Sequence, residues 1–481
     1  MRKIIIAGAS SHSGKTLITC GLLSSLRKRA LNVIAFKTGP DYIDTEYLRR
    51  AGHCEAYNLD TWLMSAENTR RLFSEYSAGH DIAIIEGAMG LFDGGINSTA
   101  DIARLIDAPV LLVINARSMG ESAAALAMGF REFGNDIDMA GVILNFTGSD
   151  YHAEIISSAL NRVGIKFLGA LKRDDRLKIP ERHLGLLSAN ENDRFNFEAL
   201  GAIFESSVNV DEILRLSENV KDTRPCEKFI PSAKYDARVA AANDEAFTFI
   251  YPESLKTLER FGAEIVPFSP LNDERLPDAD GYIFCGGYPE IFAQGLADNV
   301  PMLESVRNCR KPILAECGGM MYLCRSLKDS DGNIFDMAGV IPFEAFMSER
   351  PVMGYMTGVA LRDNILCRKG DVVRGHEYHY SRILPEYYDD TCAFELTRRN
   401  GQSHYGGYSG ENISASCGEG AVSASHSETR RNILASCVGG SVSNSLPEKQ
   451  RNILASYLHI NFYGNERLAE NFLQSLTSSK G

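Results

Sequence analysis

Lys311-Pro312-Ile313-Leu314-Ala315-Glu316-Cys317-Gly318-Gly319-Met320-Met321-Tyr322 is the stretch that most constrains the fold. An apolar run of strand length ends at one cysteine, and two glycines and a helix-like segment follow at once. This order is typical of a nucleophile elbow, in which the reactive atom lies on a strained strand-to-helix turn of an α/β domain. We therefore predict that Cys317 is a nucleophile and that Gly318 contributes to an oxyanion hole. The alternative interpretation is a buried core thiol.

Two further segments favour the nucleophile. A second glycine pair, Gly286-Gly287, follows an apolar strand predicted from Asp280 to Cys285, and it suits an oxyanion-hole loop. His459 follows an apolar strand predicted from Ile453 to Leu458, and it is the candidate general base. Together these segments predict a cysteine–histidine pair beside backbone N–H donors.

A phosphate-binding loop is predicted near the N-terminus. Ile4-Ile5-Ile6-Ala7 indicates a buried strand of a parallel sheet, because its apolar residues do not alternate with polar ones. Gly8 to Thr16 follows and nearly matches G-x-x-x-x-G-K-[ST], with Ala9 at the first glycine position. A helix-like segment comes next, and this order favours nucleotide binding over a chance glycine turn. The residues predicted to hold the phosphates and Mg²⁺ are Ser13, Gly14, Lys15 and Thr16.

Acidic residues follow two other predicted strands of this half. The strand from Asn32 to Phe36 leads into Gly39-Pro40-Asp41-Tyr42-Ile43-Asp44, whose carboxylates could hold Mg²⁺ or form an Asx turn on a solvated loop. The strand from Asp81 to Gly87 carries Glu86 where a Walker-B-type ligand would lie. Because a phosphate loop lies upstream, the metal role of Glu86 is favoured over a capping role.

The remaining periodicity indicates two α/β domains. Strands at Val110 to Ile114 and Gly141 to Asn145 complete a predicted parallel pattern of five strands in the first half. A polar, proline-containing stretch then predicts a domain boundary. We expect a P-loop ATPase domain over residues 1–222, a linker over 223–235 and a second α/β domain over 236–481.

Composition excludes several classes of protein. The 481 residues carry 50 basic and 62 acidic side chains, so the net charge of -12 argues against a nucleic-acid partner. No apolar run approaches the length of a membrane span. Eleven cysteines without a Cys-x-x-Cys pair, and no signal peptide, predict reduced thiols in the cytoplasm.

A repeat of period 20 lies inside the second half. The segments Asn412 to Cys417, Asn432 to Cys437 and Asn452 to Tyr457 resemble one another, and Gly/Ser-rich sequence follows the first two. Such sequence buries little apolar area, so we predict a low-complexity insertion at about 401–450. Only the third copy leads into His459, so it alone is predicted to form the core strand.

The motifs carry a family resemblance. Ala315-Glu316-Cys317-Gly318-Gly319, Gly286 to Glu290, the late histidine, Gly39 to Asp44 and Asn58 to Trp62 resemble the cobyrinate a,c-diamide synthase family. The resemblance implies a dethiobiotin synthetase-like P-loop domain and a class I glutamine amidotransferase-like domain. It also implies ATP and Mg²⁺ as cofactors, with cobyrinic acid and glutamine as substrates. The reaction would amidate the a and c carboxylates through an acyl phosphate, in cobalamin biosynthesis.

The resemblance assigns further roles by position. Asp41, Tyr42 and Ile43 would contact the corrinoid, Asp44 would act at the reacting phosphate and the metal, and Asp93 would be another catalytic carboxylate. The segment Ile179 to Leu186 would close the nucleotide side. The wider glutaminase class commonly places a glutamate two residues after the base histidine, where this chain has Asn461. A Cys317–His459 dyad is therefore expected. In the phosphate-loop domain, Thr16, Asp44 and Glu86 are the expected metal ligands.

Two other functions remain open from the sequence. Nickel-sirohydrochlorin a,c-diamide synthase of coenzyme F430 biosynthesis shares these motifs but takes a different tetrapyrrole. A P-loop switch that binds a partner without amidation belongs to another class, and such proteins lack the elbow and the second domain. The oligomeric state is open as well, with a homodimer as one option.

Overall fold

The computed structural model describes residues 1–174, 177, 181–182, 185–186, 195–218, 229–385, 391–410 and 452–477. The chain divides into two compact units. One contains Met1–Ile230 with Tyr251–Glu253, and the other contains Pro231–Ile250 with Ser254–Gly481. Among the described residues, no helix combines the length and the apolar character that crossing a bilayer requires.

The first unit alternates strands and helices, as the periodicity predicts. Its strands are β1 (Arg2–Gly8), β2 (Val33–Thr38), β3 (Ala56–Leu59), β4 (Ile82–Gly90), β5 (Val110–Asn115), β6 (Met139–Thr147) and β7 (Phe167–Lys172), with a small pair β8 (Glu181–Arg182) and β9 (Gly185–Leu186). Its helices are α1 (Lys15–Lys28), α2 (Ile43–Gly52), α3 (Thr61–Ser77), α4 (Thr99–Ile106), α5 (Ser122–Phe133), α6 (Asp150–Arg162), α7 (Phe197–Ser207) and α8 (Val210–Ser217).

The main sheet of this unit has seven parallel strands, in the order β3-β2-β4-β1-β5-β6-β7. The expectation of five strands was wrong, because it missed the two edge strands β3 and β7. Both edge strands contain residues that weaken an apolar signal, such as Asn58 in β3 and Gly169 in β7. The five predicted strands form the buried centre of the sheet.

The sheet register brings the predicted phosphate-site segments together. Ile6 of β1 and Lys37 of β2 both lie opposite Glu86 of β4. The loop after β1 and the turn after β2 therefore begin at the same edge of the sheet. In a parallel α/β sheet this carboxyl-end edge is the usual place for a ligand.

The second unit is a larger mixed α/β unit. Its strands are β10 (Arg238–Ala242), β11 (Phe247–Phe249), β12 (Glu264–Phe268), β13 (Gly281–Phe284), β14 (Gly286–Gly287), β15 (Ile313–Glu316), β16 (Ser326–Lys328), β17 (Ile334–Asp336), β18 (Glu344–Ala360), β19 (Val372–Leu384), β20 (Cys392–Arg398), β21 (Ser403–Gly410), β22 (Ile453–Ser456) and β23 (His459–Ile460). Its helices are α9 (Pro252–Arg260), α10 (Ala293–Asp298), α11 (Val300–Arg307), α12 (Gly318–Leu323) and α13 (Glu466–Thr477), although Pro252 and Glu253 group with the first unit.

One sheet joins most of these strands. Its parallel part runs in the order β12-β10-β13-β15-β22, and antiparallel pairing then continues through β21, β20 and β18. The long strand β19 pairs with β18 and with β23, which carries His459. Aromatic rings of Phe247, Phe284 and Tyr322 pack together in the core beneath the elbow.

The third copy of the repeat forms the central strand β22, as predicted. Its residues Ile453–Ser456 pair with Ile313–Glu316 of β15, and the four residues are buried. The first two copies lie outside the described residues, and of the segment Ile179 to Leu186 only residues 181–182 and 185–186 are described. The prediction that only the third copy forms a core strand therefore stays a prediction.

The start of the predicted insertion needs a correction. Residues Ser403–Gly410, which the compositional estimate included, form strand β21 between β20 and β22. The small residues of this segment fit close strand packing, and its pairing was not visible in the composition. The part that can be removed without cutting a described strand therefore begins after Gly410.

The cysteines of the described residues are free thiols. They are Cys20, Cys54, Cys285, Cys309, Cys317, Cys324, Cys367 and Cys392. Most are buried in the two cores, where a thiol packs as a small apolar side chain.

The pairing of β21 with β22 generates a test of the insertion. Gly410 lies opposite Ile453 in this antiparallel pair, so a short turn can join the two strands. Replacing residues 411–451 with Asn-Gly, which leaves Asn452 as the third turn residue, should give a protein that melts cooperatively within a few degrees of the parent. Circular dichroism and size-exclusion chromatography measure this.

The matched control deletes residues 403–451 and therefore removes β21 as well. We expect this longer deletion to abolish the cooperative transition, because β20 and β22 lose their shared partner. Equal behaviour of the two deletions would contradict the assignment of the insertion boundary.

Candidate active sites

The phosphate loop of the first unit has the backbone that its glycine predicts. Gly14 has φ +82°, a left-handed conformation in which glycine carries no steric penalty. A Cβ atom at Gly14 would lie 2.0 Å from Nδ2 of Asn145, and that amide donates a hydrogen bond to the carbonyl oxygen of Ser13 at 3.1 Å. The end of β6 thus supports the loop from outside it. Lys15 begins α1 and is mostly buried, and burial together with the nearby Lys37 lowers its pKa.

A buried lysine connects the two acidic segments. Nζ of Lys37 lies 2.5 Å from Oδ2 of Asp44 and 2.9 Å from Oε1 of Glu86. The hydroxyl of Thr16 donates to the same Glu86 oxygen at 2.8 Å. Burial alone would lower the pKa of Lys37, but Asp44 and Glu86 raise it, so the ammonium stays charged. Burial raises the pKa of Glu86, although Lys37 opposes that shift.

The residues predicted to bind Mg²⁺ are brought together by this network. Thr16, Asp44 and Glu86 offer hard oxygen donors of the kind that Mg²⁺ prefers. Oε2 of Glu86 is buried and has no hydrogen-bond partner among the described residues. That oxygen fits a ligand that the protein itself does not supply. Among the described residues, no group of three His, Cys, Asp or Glu side chains is arranged for a metal.

The segment assigned to the corrinoid forms the turn into α2. Oδ1 of Asp41 accepts the backbone N–H of Asp44, three residues on, at 2.9 Å, which is one residue further than in the Asx turn that we considered as the alternative. Nδ2 of Asn58 donates to the carbonyl oxygens of Gly39 and Asp41 and so fixes the turn. The Tyr42 ring packs against Tyr251 at 4.6 Å, and Ile43 begins the helix.

Asp93 lies at the same edge of the sheet but makes a local contact. Its carboxylate accepts the N–H of Gly90 at 3.1 Å, and Gly90 pairs with Gly8 at the start of the phosphate loop. The side chain is exposed. This position next to the loop is compatible with the predicted role, and the contact also explains the turn that follows β4.

The elbow of the second unit has the strain that the sequence predicts. Cys317 has φ +48°, which costs a residue with a side chain about 1–3 kcal/mol. The backbone holds this conformation, because the Cys317 N–H donates to the carbonyl oxygen of Ser456 at 2.7 Å and its carbonyl accepts the N–H of Met321 at 3.0 Å. Cys317 is therefore fixed between β15 and α12.

His459 is buried beside this cysteine. Burial alone would lower its pKa, but hydrogen bonds with Cys317 and Glu316 raise the pKa of His459 to about 10. Nδ1 of His459 lies 3.3 Å from Oε2 of Glu316. The His376 ring stacks on the His459 ring at 4.9 Å, and burial lowers the pKa of His376 well below its usual value, so that imidazole is neutral. The structure thus brings together the predicted nucleophile and base.

The predicted oxyanion-hole glycines lie at the same place. A Cβ atom at Gly286 would lie 2.6 Å from Cε1 of His459, and one at Gly318 would lie 3.0 Å from the backbone nitrogen of Gly287. Both close approaches require glycine, since a side chain would displace the histidine or the loop. Gly286 therefore packs directly against the His459 ring, and Gly318, which follows Cys317 in the chain, packs directly against Gly287.

Three of the site residues were not singled out from the sequence. Lys37 interrupts an apolar strand, and a charge in a buried strand signals a buried partner. Glu316 directly precedes the nucleophile inside the stretch that decided the fold. Asn145 is a polar residue near the carboxyl end of the apolar strand β6, and this feature could have identified it.

Comparisons with known proteins agree with both units. Residues 4–187 match the CobQ/CobB/MinD/ParA nucleotide binding domain, and residues 238–467 match the CobB/CobQ-like glutamine amidotransferase domain. A protein named cobyrinate a,c-diamide synthase from Caldanaerobacter subterraneus subsp. tengcongensis is 41% identical, over 79% of this chain and 87% of the relative.

Other relatives with the same printed name show similar agreement. The protein from Picrophilus torridus is 41% identical over 80% of this chain and 89% of the relative. The protein from Salmonella typhimurium is 40% identical over 79% of this chain and 86% of the relative. The match extends across both units, and the chain belongs to the cobyrinate a,c-diamide synthase family of glutamine-dependent amidoligases.

Proposed function

We propose that this enzyme amidates the a and c carboxylates of cobyrinic acid with ammonia from glutamine and with ATP as the activating substrate. The observation that carries the proposal is the hydrogen-bonded Cys317–His459 pair on a strained elbow, in a chain that also has a phosphate loop. A cytoplasmic location stays a prediction.

Glutamine hydrolysis would proceed at the elbow. Because hydrogen bonds raise the pKa of His459, this residue holds the proton of the Cys317–His459 pair, and the Cys317 sulfur attacks the amide carbon of glutamine. The resulting oxyanion accepts hydrogen bonds from the N–H groups of Gly286, Gly287 and Gly318. His459 returns the proton to the leaving nitrogen, so ammonia departs and a thioester remains. Water then attacks the thioester, which releases glutamate and restores the thiol.

Carboxylate activation would proceed at the phosphate loop. The backbone around Ser13 and Gly14 and the Lys15 ammonium orient the ATP phosphates. A substrate carboxylate oxygen attacks the γ-phosphorus, which forms an acyl phosphate and releases ADP. Ammonia then attacks the carbonyl carbon and inorganic phosphate leaves, so that an amide is formed. A free carboxylate would resist this attack, because it lacks a good leaving group.

Mg²⁺ would be held by Thr16, Asp44 and Glu86, and it supplies charge neutralisation at the phosphates when bound. Lys37 opposes the effect of burial on the Asp44 and Glu86 carboxylates and holds the two groups close together. For the other substrate, Asp41, Tyr42 and Ile43 form the turn that we propose contacts the corrinoid.

The whole reaction tests the proposal. The full-length protein is incubated with ATP, Mg²⁺, glutamine and either cobyrinic acid or nickel-sirohydrochlorin, and the product is weighed by mass spectrometry. We expect two carboxyl-to-amide exchanges on cobyrinic acid. Amidation of nickel-sirohydrochlorin alone would mean that this compound, and not cobyrinic acid, is the substrate. Amidation of neither compound would refute the proposed activity.

Cys317→Ser should abolish glutamine-dependent amidation and leave synthesis from ammonium salts intact, because only ammonia release needs the thiol. Cys324→Ser is the matched control, since Cys324 is a buried thiol of the same unit that bonds to the carbonyl oxygen of Met320. The two routes are measured by product formation. Equal loss of both routes in Cys317→Ser would contradict separate chemistry for glutamine hydrolysis and amidation.

His459→Ala should lower glutamine hydrolysis by roughly 10²–10⁴-fold, the range that loss of a general base costs. Ammonium-dependent amidation should survive. His404→Ala is the control, because His404 is a more exposed histidine of the same unit. Near-normal glutamate release by His459→Ala would assign the base to another group.

Lys15→Ala should remove both routes, since each needs the activated carboxylate. Lys172→Ala, which loses an exposed ion pair with Asp150, is the control and should remain active. Steady-state ADP release and product formation are measured together. Product from ammonium salts in Lys15→Ala would refute the role of the phosphate loop in activation.

A further inference from the structure

We propose that Glu316 is the positioning residue of the glutaminase site, and that it takes the place of the glutamate that the wider class has two residues after its histidine. The inference rests on the proposed function of Cys317 and His459. It concerns which residue orients the base, and it assigns that role to the residue directly before the nucleophile.

The geometry gives Glu316 two separate contacts with the histidine strand. Oε2 lies 3.3 Å from Nδ1 of His459, and Oε1 accepts the backbone N–H of Ile460 at 3.2 Å. Both contacts are buried. A carboxylate that accepts Nδ1–H orients the ring and stabilises the imidazolium that holds the proton of the Cys317 thiol.

The hydrogen bond from the Ile460 N–H determines which oxygen of the Glu316 carboxylate faces the His459 ring. Since the Ile460 N–H occupies Oε1, the carboxylate cannot rotate away without leaving a buried donor unpaired. The position of Glu316 is itself fixed, because β15 pairs with β22 and places Glu316 opposite Ser456. The side chain is thus held at both ends.

Asn461, at the position where the wider class has its glutamate, makes a different contact. Oδ1 of Asn461 accepts the N–H of Gly464 at 3.2 Å, in the turn that follows β23. A neutral amide also lacks the charge that stabilises an imidazolium. Within the part of the chain that the structure describes, the charged and titratable groups around His459 include Cys317 and Glu316, the neutral His376 stacked on its face, and His379, which interacts with it electrostatically.

The test uses Glu316→Gln in the full-length protein. The glutamine side chain has one acceptor and one donor, so an amide oxygen that keeps the Ile460 bond turns the NH₂ group toward Nδ1. The NH₂ group then faces Nδ1–H as a second donor, so the imidazolium that holds the thiol proton is destabilised. We expect kcat for glutamine hydrolysis to fall by roughly 10²–10⁴-fold with little change in KM. Ammonium-dependent amidation should be retained.

The pH profile separates positioning from mere structural support. Because the Glu316 charge favours the protonated imidazole, its removal should move the basic limb of the kcat/KM profile to lower pH. Glu316→Asp keeps the charge on a shorter side chain and should restore part of kcat, with the basic limb near its parent position. Glu395→Gln makes the same substitution at a partly exposed position of the same unit and should leave the profile unchanged.

The outcomes distinguish this inference from the proposed function. Loss of glutaminase in Cys317→Ser together with near-normal kcat and an unmoved limb in Glu316→Gln would overturn the role of Glu316 alone. Full glutaminase in Cys317→Ser would overturn the proposed function itself. If Glu316→Gln does not fold, Glu316→Asp carries the test, and a profile identical to that of the parent with full kcat would refute the inference.

Discussion

The parallel pairing of β15 with β22 is the constraint on which the second unit depends. Ile313–Glu316 and Ile453–Ser456 are far apart in the sequence, yet they lie in direct register at the centre of the sheet. This pairing places the Cys317 N–H on the Ser456 carbonyl and so holds the strained elbow. It also sets the start of β23, so the position of His459 follows from the same contact. The elbow strain is tolerated because the surrounding backbone fixes it from both strands.

The first unit buries several charged side chains at one edge of its sheet. The Lys37 ammonium lies between Asp44 and Glu86, and Thr16 adds a hydrogen bond to Glu86. Isolated buried charges are costly, whereas a paired and hydrogen-bonded set is tolerated and has a defined geometry. The network positions carboxylates beside the phosphate loop while limiting their mutual repulsion.

The two sites share one structural feature, a supported turn between a strand and a helix. In each, a turn joins a buried parallel strand to a helix, and a polar group from a distant strand supports that turn. The Asn145 amide supports the phosphate loop, and the Ser456 carbonyl oxygen supports the elbow. In both turns glycine occurs where another strand or side chain approaches closely.

The sequence by itself determined the local chemistry. The phosphate loop, the elbow, the order of strands and helices and the candidate residues Lys15, Cys317 and His459 could be predicted, because each depends on neighbours in the chain. Apolar runs without alternation also identified the central strands of both sheets. The edge strands β3 and β7 were not predicted, because their strand conformation depends more on pairing with neighbouring strands than on their own composition.

Only the tertiary structure decided which polar residues meet. Lys37 joins Asp44 and Glu86 through sheet register, and no local pattern states that a strand lysine faces those carboxylates. Strand β21 was hidden in Gly/Ser-rich sequence, because its identity comes from hydrogen bonds with β20 and β22. The contact of Glu316 with His459 likewise spans 143 positions of the chain and depends on the side-chain direction at the end of β15. Such contacts are fixed by strand pairing and packing, which a linear sequence specifies only through the whole fold.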